Sequence, residues 1–204
     1  MQAPELPFSP AAERNGAPLL ERLRDLVDDA ATVLEIASGS GQHAARFAAA
    51  QPRWRWLPSE AEAGALPAID ARCKALPNVA PAVQLDVPHT PWPVAGASVD
   101  AVFVANLLHI SPWPCCAALM QGGAAALRAE GRLLIYGPFV VDGVATAPSN
   151  LAFDADLKAR DARWGLRRLD DVKAGAAAAG LYFEQRIAMP ANNLLLVLRR
   201  AGTH

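Results

Sequence analysis

Apolar positions recur along this chain in short blocks whose spacing switches between strand-like and helical. Thr32-Val33-Leu34-Glu35-Ile36 is a β-branched apolar run, and Gln42 to Ala50, just beyond it, has helical spacing. The alternation repeats. Trp54 to Leu57 predicts a second strand, Glu60 to Leu76 a helix interrupted by Pro67, and Ala82 to Leu85 a third strand ending at Asp86. Val99 to Ala105 is almost continuously apolar, as a strand buried on both faces of a parallel sheet must be. Trp113 to Leu127 predicts a helix, Gly131 to Tyr136 a fifth strand, and Asp170 to Ala179 an Ala-rich helix. Two closing strands, Leu181 to Ile187 and Leu194 to Leu198, are joined through Met189-Pro190-Ala191-Asn192. That joint is too short for a crossover, so the pair is antiparallel. Upstream, Leu19, Leu20, Leu23, Leu26 and Val27 mark a helix beginning at Pro18, with the sixteen residues at the start lying over the body of the domain.

Repeated strand–helix units imply right-handed crossovers and helices on both faces of one sheet. The expected fold is α/β: a doubly wound, mostly parallel, seven-stranded sheet with a C-terminal antiparallel pair. A length of 204 residues suits one domain, 1–204. Residues 1–31 form its N-terminal cap and helix, and the polar stretch 143–169 is expected as a substrate lid. Nineteen basic and twenty acidic residues give a formal charge of -1, which argues against nucleic acid as the partner because phosphate neutralisation needs a basic excess. No stretch approaches about 18 uninterrupted apolar residues, so no membrane-spanning helix is expected. The first ten residues lack the basic-then-apolar pattern of a secretory leader, and the expected location is the cytoplasm. Cys73, Cys115 and Cys116 have no metal-ligand spacing, and the adjacent pair reads as two small apolar helix positions. His43, His89, His109 and His204 share no ligand spacing either, so no metal is expected.

The chemistry concentrates in Val33 to Ala44. A strand running through small residues into a helix brings backbone N–H groups close to a polar or anionic ligand. Gly39 and Gly41 can take positive φ there. Taken alone, Gly39-x-Gly41-x-x-Ala44 also fits a dinucleotide fingerprint. Three carboxylates sharpen the reading. Glu35 lies inside the first strand, where burial demands hydrogen bonds, expected from loop N–H groups or a ligand amine. Glu60 follows the second strand, about twenty positions after Gly39, where a carboxylate takes both hydroxyls of a ribose. Asp86 ends the third strand, placed to accept from an adenine amine.

With these residues the chain resembles the class I S-adenosylmethionine-dependent methyltransferases, whose first motif is an acidic residue, an apolar one, then Gly-x-Gly-x-Gly. Here it reads Glu35-Ile36-Ala37-Ser38-Gly39-Ser40-Gly41. Ala37 stands where that family has its first glycine, a tolerable departure if the position keeps a negative φ. More narrowly, segments such as Ser9 to Asn15, Glu35 to His43, Pro58 to Glu60, Asn106 to Ile110, Ser149-Asn150, Arg163 to Gly165 and Met189 to Asn193 are similar to the small methyltransferase-like 26 type family, whose substrate is not established. The resemblance implies S-adenosylmethionine as cofactor, held by Glu35, Ala37, Ser38, Gly39, Gly41, Glu60, Asp86 and Asn106.

Methyl transfer from a sulfonium is an in-line displacement, so the protein chiefly positions both partners and excludes water. The acceptor side is expected after the fourth and fifth strands. His109 is the candidate general base, with a pKa near neutrality, or else a hydrogen-bond partner of a loop carbonyl. Tyr136 and Phe139 either stack on the substrate or pack in the core. Arg14 and Asn15, placed before the first helix, are expected to fold over the cleft toward a carboxylate of cofactor or substrate. Asn150, Trp164 and Asn193 join Asp154 and Arg163 as lid candidates. The sequence thus points to a methyltransferase acting on a small molecule, with the oligomeric state open. The alternatives are an NAD-dependent oxidoreductase and a non-catalytic S-adenosylmethionine-binding module.

Overall fold

The structure, a computed structural model, describes residues 6–202. Seven strands form the main sheet: β1 (Thr32–Ile36), β2 (Arg55–Glu60), β3 (Val83–Gln84), β4 (Val99–Ala105), β5 (Leu127–Gly137), β6 (Leu181–Met189) and β7 (Asn193–Arg200). Their order is β3-β2-β1-β4-β5-β7-β6. Only β7 runs against its neighbours, pairing antiparallel with both β5 and β6. The hairpin joint takes positive φ at Ala191 and Asn192, the twist that suits a tight hairpin. The described residues form six α-helices: α1 (Pro10–Leu26), α2 (Gln42–Ala50), α3 (Leu66–Cys73), α4 (Pro114–Ala126), α5 (Pro148–Arg160) and α6 (Leu169–Ala178).

The period-2 pattern divides each central strand between two cores. Leu34, Ile36, Val102, Val104, Leu133, Ile135, Leu196 and Leu198 pack with α4 and α6. Their neighbours Val33, Ala101, Phe103, Leu134, Tyr136, Leu195 and Val197 pack with α1 and α2. Cys115 and Cys116 are buried free thiols in the first of these cores. The four central strands are therefore covered on both sides, and the open edge lies at the C-terminal ends of the parallel ones, β1, β4 and β5. The order reverses at β1 and β4, the switch point where α/β sheets bind ligands. Among the described residues, no helix is long and apolar enough to cross a membrane.

Several element ends differ from expectation for physical reasons. The first helix starts at Pro10 rather than Pro18, because the Ser9 hydroxyl caps it by accepting from Ala12 N–H. Pro18 sits inside that helix, leaving the Arg14 carbonyl without its usual N–H partner. Pro67 opens α3 instead of interrupting a longer helix, since a first-turn proline has no hydrogen bond to lose. The fifth strand begins at Leu127, directly after α4, and crosses a bulge near Asp100 before resuming the register. The polar stretch 143–169, for which the sequence pattern predicts no element, contains the thirteen-residue helix α5.

Packing makes one sharp stability prediction. A Cβ on Gly122 of α4 would stand 2.2 Å from the indole of Trp92. That indole is buried and donates to the Val87 carbonyl at 3.1 Å. Gly122→Ala is expected to cost about 1–3 kcal/mol by overpacking. An unaltered urea midpoint would show that Trp92 moves aside freely.

Candidate active site

β1 ends at Ile36, and the chain turns through Ala37, Ser38, Gly39 and Ser40 into α2. Gly41 caps α2 with φ 72°, and no side chain covers the first N–H groups of that helix. A Cβ on Gly41 would press on the Ile69 backbone at 3.2 Å, whereas one on Gly39 (φ 55°) would meet open space. The outer side of the turn is thus unfilled. Ala37 departs from the expected negative φ: it adopts φ 56°, left-handed backbone that costs an L-residue roughly 1–2 kcal/mol. Ala37→Gly is expected to raise stability by about 1 kcal/mol, net of the extra freedom glycine gains when unfolded. A lowered thermal midpoint would mean that the Ala37 methyl supplies packing that outweighs the strain.

Two of the three predicted carboxylates stand at this rim. Glu60, half-buried at the end of β2, accepts from Gly39 N–H through Oε2 and from Ala61 N–H through Oε1, both at 2.8 Å. Two backbone donors fix the carboxylate and leave its remaining lone pairs free. Asp86, two residues past β3, is half-exposed and pairs with His89 Nδ1 at 2.7 Å.

The third carboxylate, Glu35, is a correction. Only 2% exposed, it points into the core, and its Oε2 accepts from the Trp56 indole at 2.9 Å rather than from loop N–H groups. Burial pushes its pKa up to about 7, against hydrogen bonds from Trp56 and Ser38 that favour the ionised form. His43 Nδ1 lies 3.8 Å from Glu35 Oε1, yet burial pushes the imidazole down to about 4, so desolvation opposes an ion pair here. His43 Nε2 lies 2.7 Å from Asn15 Oδ1 and donates to it, so Nδ1 faces Glu35 as an acceptor. Burial pushes the nearby Tyr136 hydroxyl up from its ordinary value, with Asn15 opposing the shift. A buried polar cluster of Asn15, His43, Glu35 and Trp56 therefore lies beneath the glycine turn. It is tied to that turn by Ser38, whose N–H donates to the Ser59 carbonyl at 2.8 Å and whose hydroxyl accepts from Ser59 N–H.

The acceptor side lies at the ends of β4 and β5. Asn106 takes φ 61°, and its N–H donates to the Tyr136 carbonyl at 2.8 Å. A Cβ on Gly137 would meet His109 Nδ1 at 3.4 Å and Asn106 Oδ1 at 3.7 Å, so both side chains crowd over that glycine. Phe153 of α5 meets the imidazole edge-on at 5.3 Å. Burial, then the nearby charge of Arg167, pushes His109 down to about 4, correcting the expectation of a pKa near neutrality. At pH 7 the ring is uncharged. Its backbone carbonyl accepts from Gly165 N–H at 3.0 Å.

The remaining candidates divide. Phe139 is buried in the core beside α4 and Tyr136 in the opposite core, so neither ring is a substrate platform. Arg14 and Asn15 lie within α1 rather than before it; Asn15 is buried, Arg14 exposed. Asn150 Nδ2 donates to the Asn192 carbonyl at 3.0 Å, and Asn193 Nδ2 to the Pro190 carbonyl at 3.1 Å. These two organise the junction of α5 with the β6–β7 hairpin. Trp164 is half-exposed under the Arg160 guanidinium. Asp154 binds Lys158 and the Leu166 N–H, and Arg163 pairs with Asp161. His204 lies outside the described residues. Sequence reasoning missed Phe153, Gly137, Arg167 and the His43–Asn15 pair. The last two carry no local signal, because their partners are remote in the chain.

A family described as "Protein of unknown function (DUF938)" matches residues 6–200. Solved structures with a similar fold include an O-methyltransferase family 2 protein from Planctomyces limnophilus in complex with apigenin. It is 18% identical, with TM-score 0.76, covering 94% of this chain and 60% of that one. The mitomycin 7-O-methyltransferase MmcR is 18% identical with TM-score 0.78, covering 94% and 54%. The S-adenosylmethionine-dependent methyltransferase SibL in its apo form is 20% identical with TM-score 0.75, covering 94% and 56%. The chain therefore spans little more than half the length of these neighbours. At such identity the likeness establishes the fold alone, an open, mostly parallel α/β sheet with an antiparallel C-terminal pair.

Proposed function

The chain belongs to the DUF938 family, and we propose that within it this protein is a class I methyltransferase that uses S-adenosylmethionine to methylate a small molecule. The observation that carries this reading is the Gly39 N–H to Glu60 hydrogen bond at the switch point of a sheet ordered β3-β2-β1-β4-β5-β7-β6. The antiparallel β7 separates this sheet from the all-parallel dinucleotide fold, and so favours the methyltransferase over an NAD-dependent oxidoreductase. The similarity to methyltransferase-like 26 proteins rests on the sequence segments quoted above and narrows the proposal no further. The small-molecule acceptor is inferred from the near-neutral charge and the apigenin complex of one structural neighbour. A cytoplasmic location and independence from nucleic acid are parts of the same proposal.

The residues present fit the cofactor. Glu60 has lone pairs free for two ribose hydroxyls, the open side of Gly39 leaves room for a close approach, and uncapped N–H groups of α2 face the same turn. Asp86, with Oδ2 on His89, keeps Oδ1 to accept from an exocyclic amine. Glu35, Ser38 and Ala37 act from beneath, shaping the turn rather than touching the ligand. S-adenosylmethionine, when bound, supplies a methyl group already activated on a sulfonium. What remains for the protein is positioning and proton handling. His109, uncharged at neutral pH, offers a ring nitrogen that accepts the proton an O–H or N–H acceptor must lose. A ring pushed down to about 4 is a weak base, so it takes the acceptor's proton as the new bond to the methyl group forms, not in a prior equilibrium. Asn106 beside it offers an amide for orientation, and Phe153 shields the imidazole from water.

Calorimetric titration with S-adenosylmethionine, S-adenosylhomocysteine and NAD tests the proposal. Micromolar binding of both sulfur compounds and none of NAD is expected. NAD binding alone would overturn it. Binding without turnover across a library of phenols, amines and carboxylic acids would favour the non-catalytic module.

A further inference from the structure

We propose that Arg167 is the positioning residue for His109, fastening the turn that carries the imidazole to the 143–169 segment so that lid and acceptor side form one mechanical unit. The inference rests on the reading that His109 faces the methyl acceptor. The turn after β4 is a single 3₁₀ turn, Leu108–Ile110, and its carbonyls have no further helical turn to receive them. Arg167 takes two of the carbonyls around it. Its Nε donates to the Leu108 carbonyl at 2.9 Å, and its Nη2 donates to the Ser111 carbonyl. The His109 carbonyl between them accepts from Gly165 N–H, two residues before Arg167. Three carbonyls of one short turn thus answer to one three-residue stretch.

That stretch is itself fixed. Arg167 Nη2 also donates to the Arg163 carbonyl at 2.9 Å, and its guanidinium lies over Trp113 at 5.6 Å. Arg167 pairs in parallel with Phe139, just past β5. Leu166 N–H donates to Asp154 Oδ1 at 2.7 Å, which ties the stretch to α5, the helix that brings Phe153 onto the imidazole. Gly165, at φ 140°, lets the chain pass Asp154 so closely that a Cβ would stand 2.8 Å from its carboxylate. A planar fork with donors on separate nitrogens suits this arrangement, and lysine, with one ammonium, cannot reproduce it. The positive charge also sits where a 3₁₀ turn presents its negative end. Arg167 does not reach the acceptor site; it acts through the backbone of Leu108 to Ser111.

The test is the NMR titration of the histidine ring resonances in the full chain. His109 is assigned through His109→Gln and compared between parent, Arg167→Gln and Arg167→Lys. In the parent, His109 stays neutral down to about pH 4. In Arg167→Gln its midpoint is expected to rise by about one pH unit or more as the cation leaves and the turn opens to water. Its resonance should broaden, while His43, which lies on the other face, keeps its shift and so reports an intact fold. Arg167→Lys keeps the charge but loses the fork; a resonance displaced from the parent there assigns the effect to geometry. An unmoved His109 in both variants, with faster amide exchange across residues 148–160, would overturn the inference and leave Arg167 as a tie for α5 alone. Should Arg167→Gln not fold, Arg167→Lys by itself decides, a parent-like His109 spectrum counting against positioning. The readout uses no cofactor. A parent that fails to bind S-adenosylmethionine would defeat the proposed function without touching this result.

Discussion

Glu60→Ala is expected to weaken S-adenosylmethionine binding by more than tenfold, at least about 1.4 kcal/mol, with little change in thermal stability. The carboxylate is oriented before any ligand arrives, by Gly39 N–H on one oxygen and Ala61 N–H on the other. A pre-oriented carboxylate loses little freedom on accepting two hydroxyls, and each charge-assisted hydrogen bond is worth about 1.5–3 kcal/mol. Because the side chain is only half-buried, its removal leaves no orphaned group in the core. Glu62→Ala, two residues on and exposed, is the control and should bind as the parent does. Isothermal calorimetry reads both. Equal affinity of Glu60→Ala and the parent would place the ribose away from β2.

Glu35→Gln is expected to stabilise the protein in alkaline solution by up to about 3 kcal/mol, and to leave it nearly unchanged below pH 5. The sign follows from burial. Glu35 titrates near 7 in the fold against an ordinary value of 4.5, so the folded state holds its proton more tightly than the unfolded chain. Its contribution is fully present below about 4.5 and is lost as pH rises through about 7. Each pH unit between those values is worth about 1.36 kcal/mol. Glutamine keeps an acceptor for the Trp56 indole at nearly the same volume, and has no charge to bury. His43 and His109 act oppositely: both are pushed down to about 4, so their contribution is present above the ordinary histidine value and is lost as pH falls through about 4. With two histidines against one carboxyl, the parent's stability rises with pH by about 1.36 kcal/mol per unit between roughly 4.5 and 6.5, and the difference between variant and parent isolates the carboxyl. Urea unfolding at pH 5, 6, 7 and 8 measures it. A difference independent of pH would mean that Glu35 is ionised throughout, paired with a charged His43.

The sheet was legible in the sequence because its strands are nearly continuous apolar runs, Val33 to Ile36 and Val99 to Ala105 above all, and both fall inside observed strands. The glycine turn and its partner acid were legible for a related reason: positive φ and a strand-end carboxylate are demands that one residue meets alone. The start of α1 was not read, though Ser9 followed by Pro10 is an N-terminal signal, because proline near a chain start also suits a loop. α5 went unread since it buries only Asn150 and Leu157, too few positions to impose a period. Glu35 was seen as a buried acid in want of donors. That its donor is Trp56, and its other neighbour a histidine on α2 held by α1, depends on how three layers stack, which spacing does not encode. The low pKa of His109 belongs to the same class, for it comes from Phe153 and Arg167 on a distant segment.

A crystal structure with S-adenosylhomocysteine tests the central claim most directly. The account predicts both ribose hydroxyls on Glu60, the adenine amine at Asp86, and the vacated methyl position opening toward Asn106 and His109. A nucleoside seated anywhere but the C-terminal rim of β1, β2 and β3, with Glu60 still bound only to Gly39 and Ala61, would contradict it.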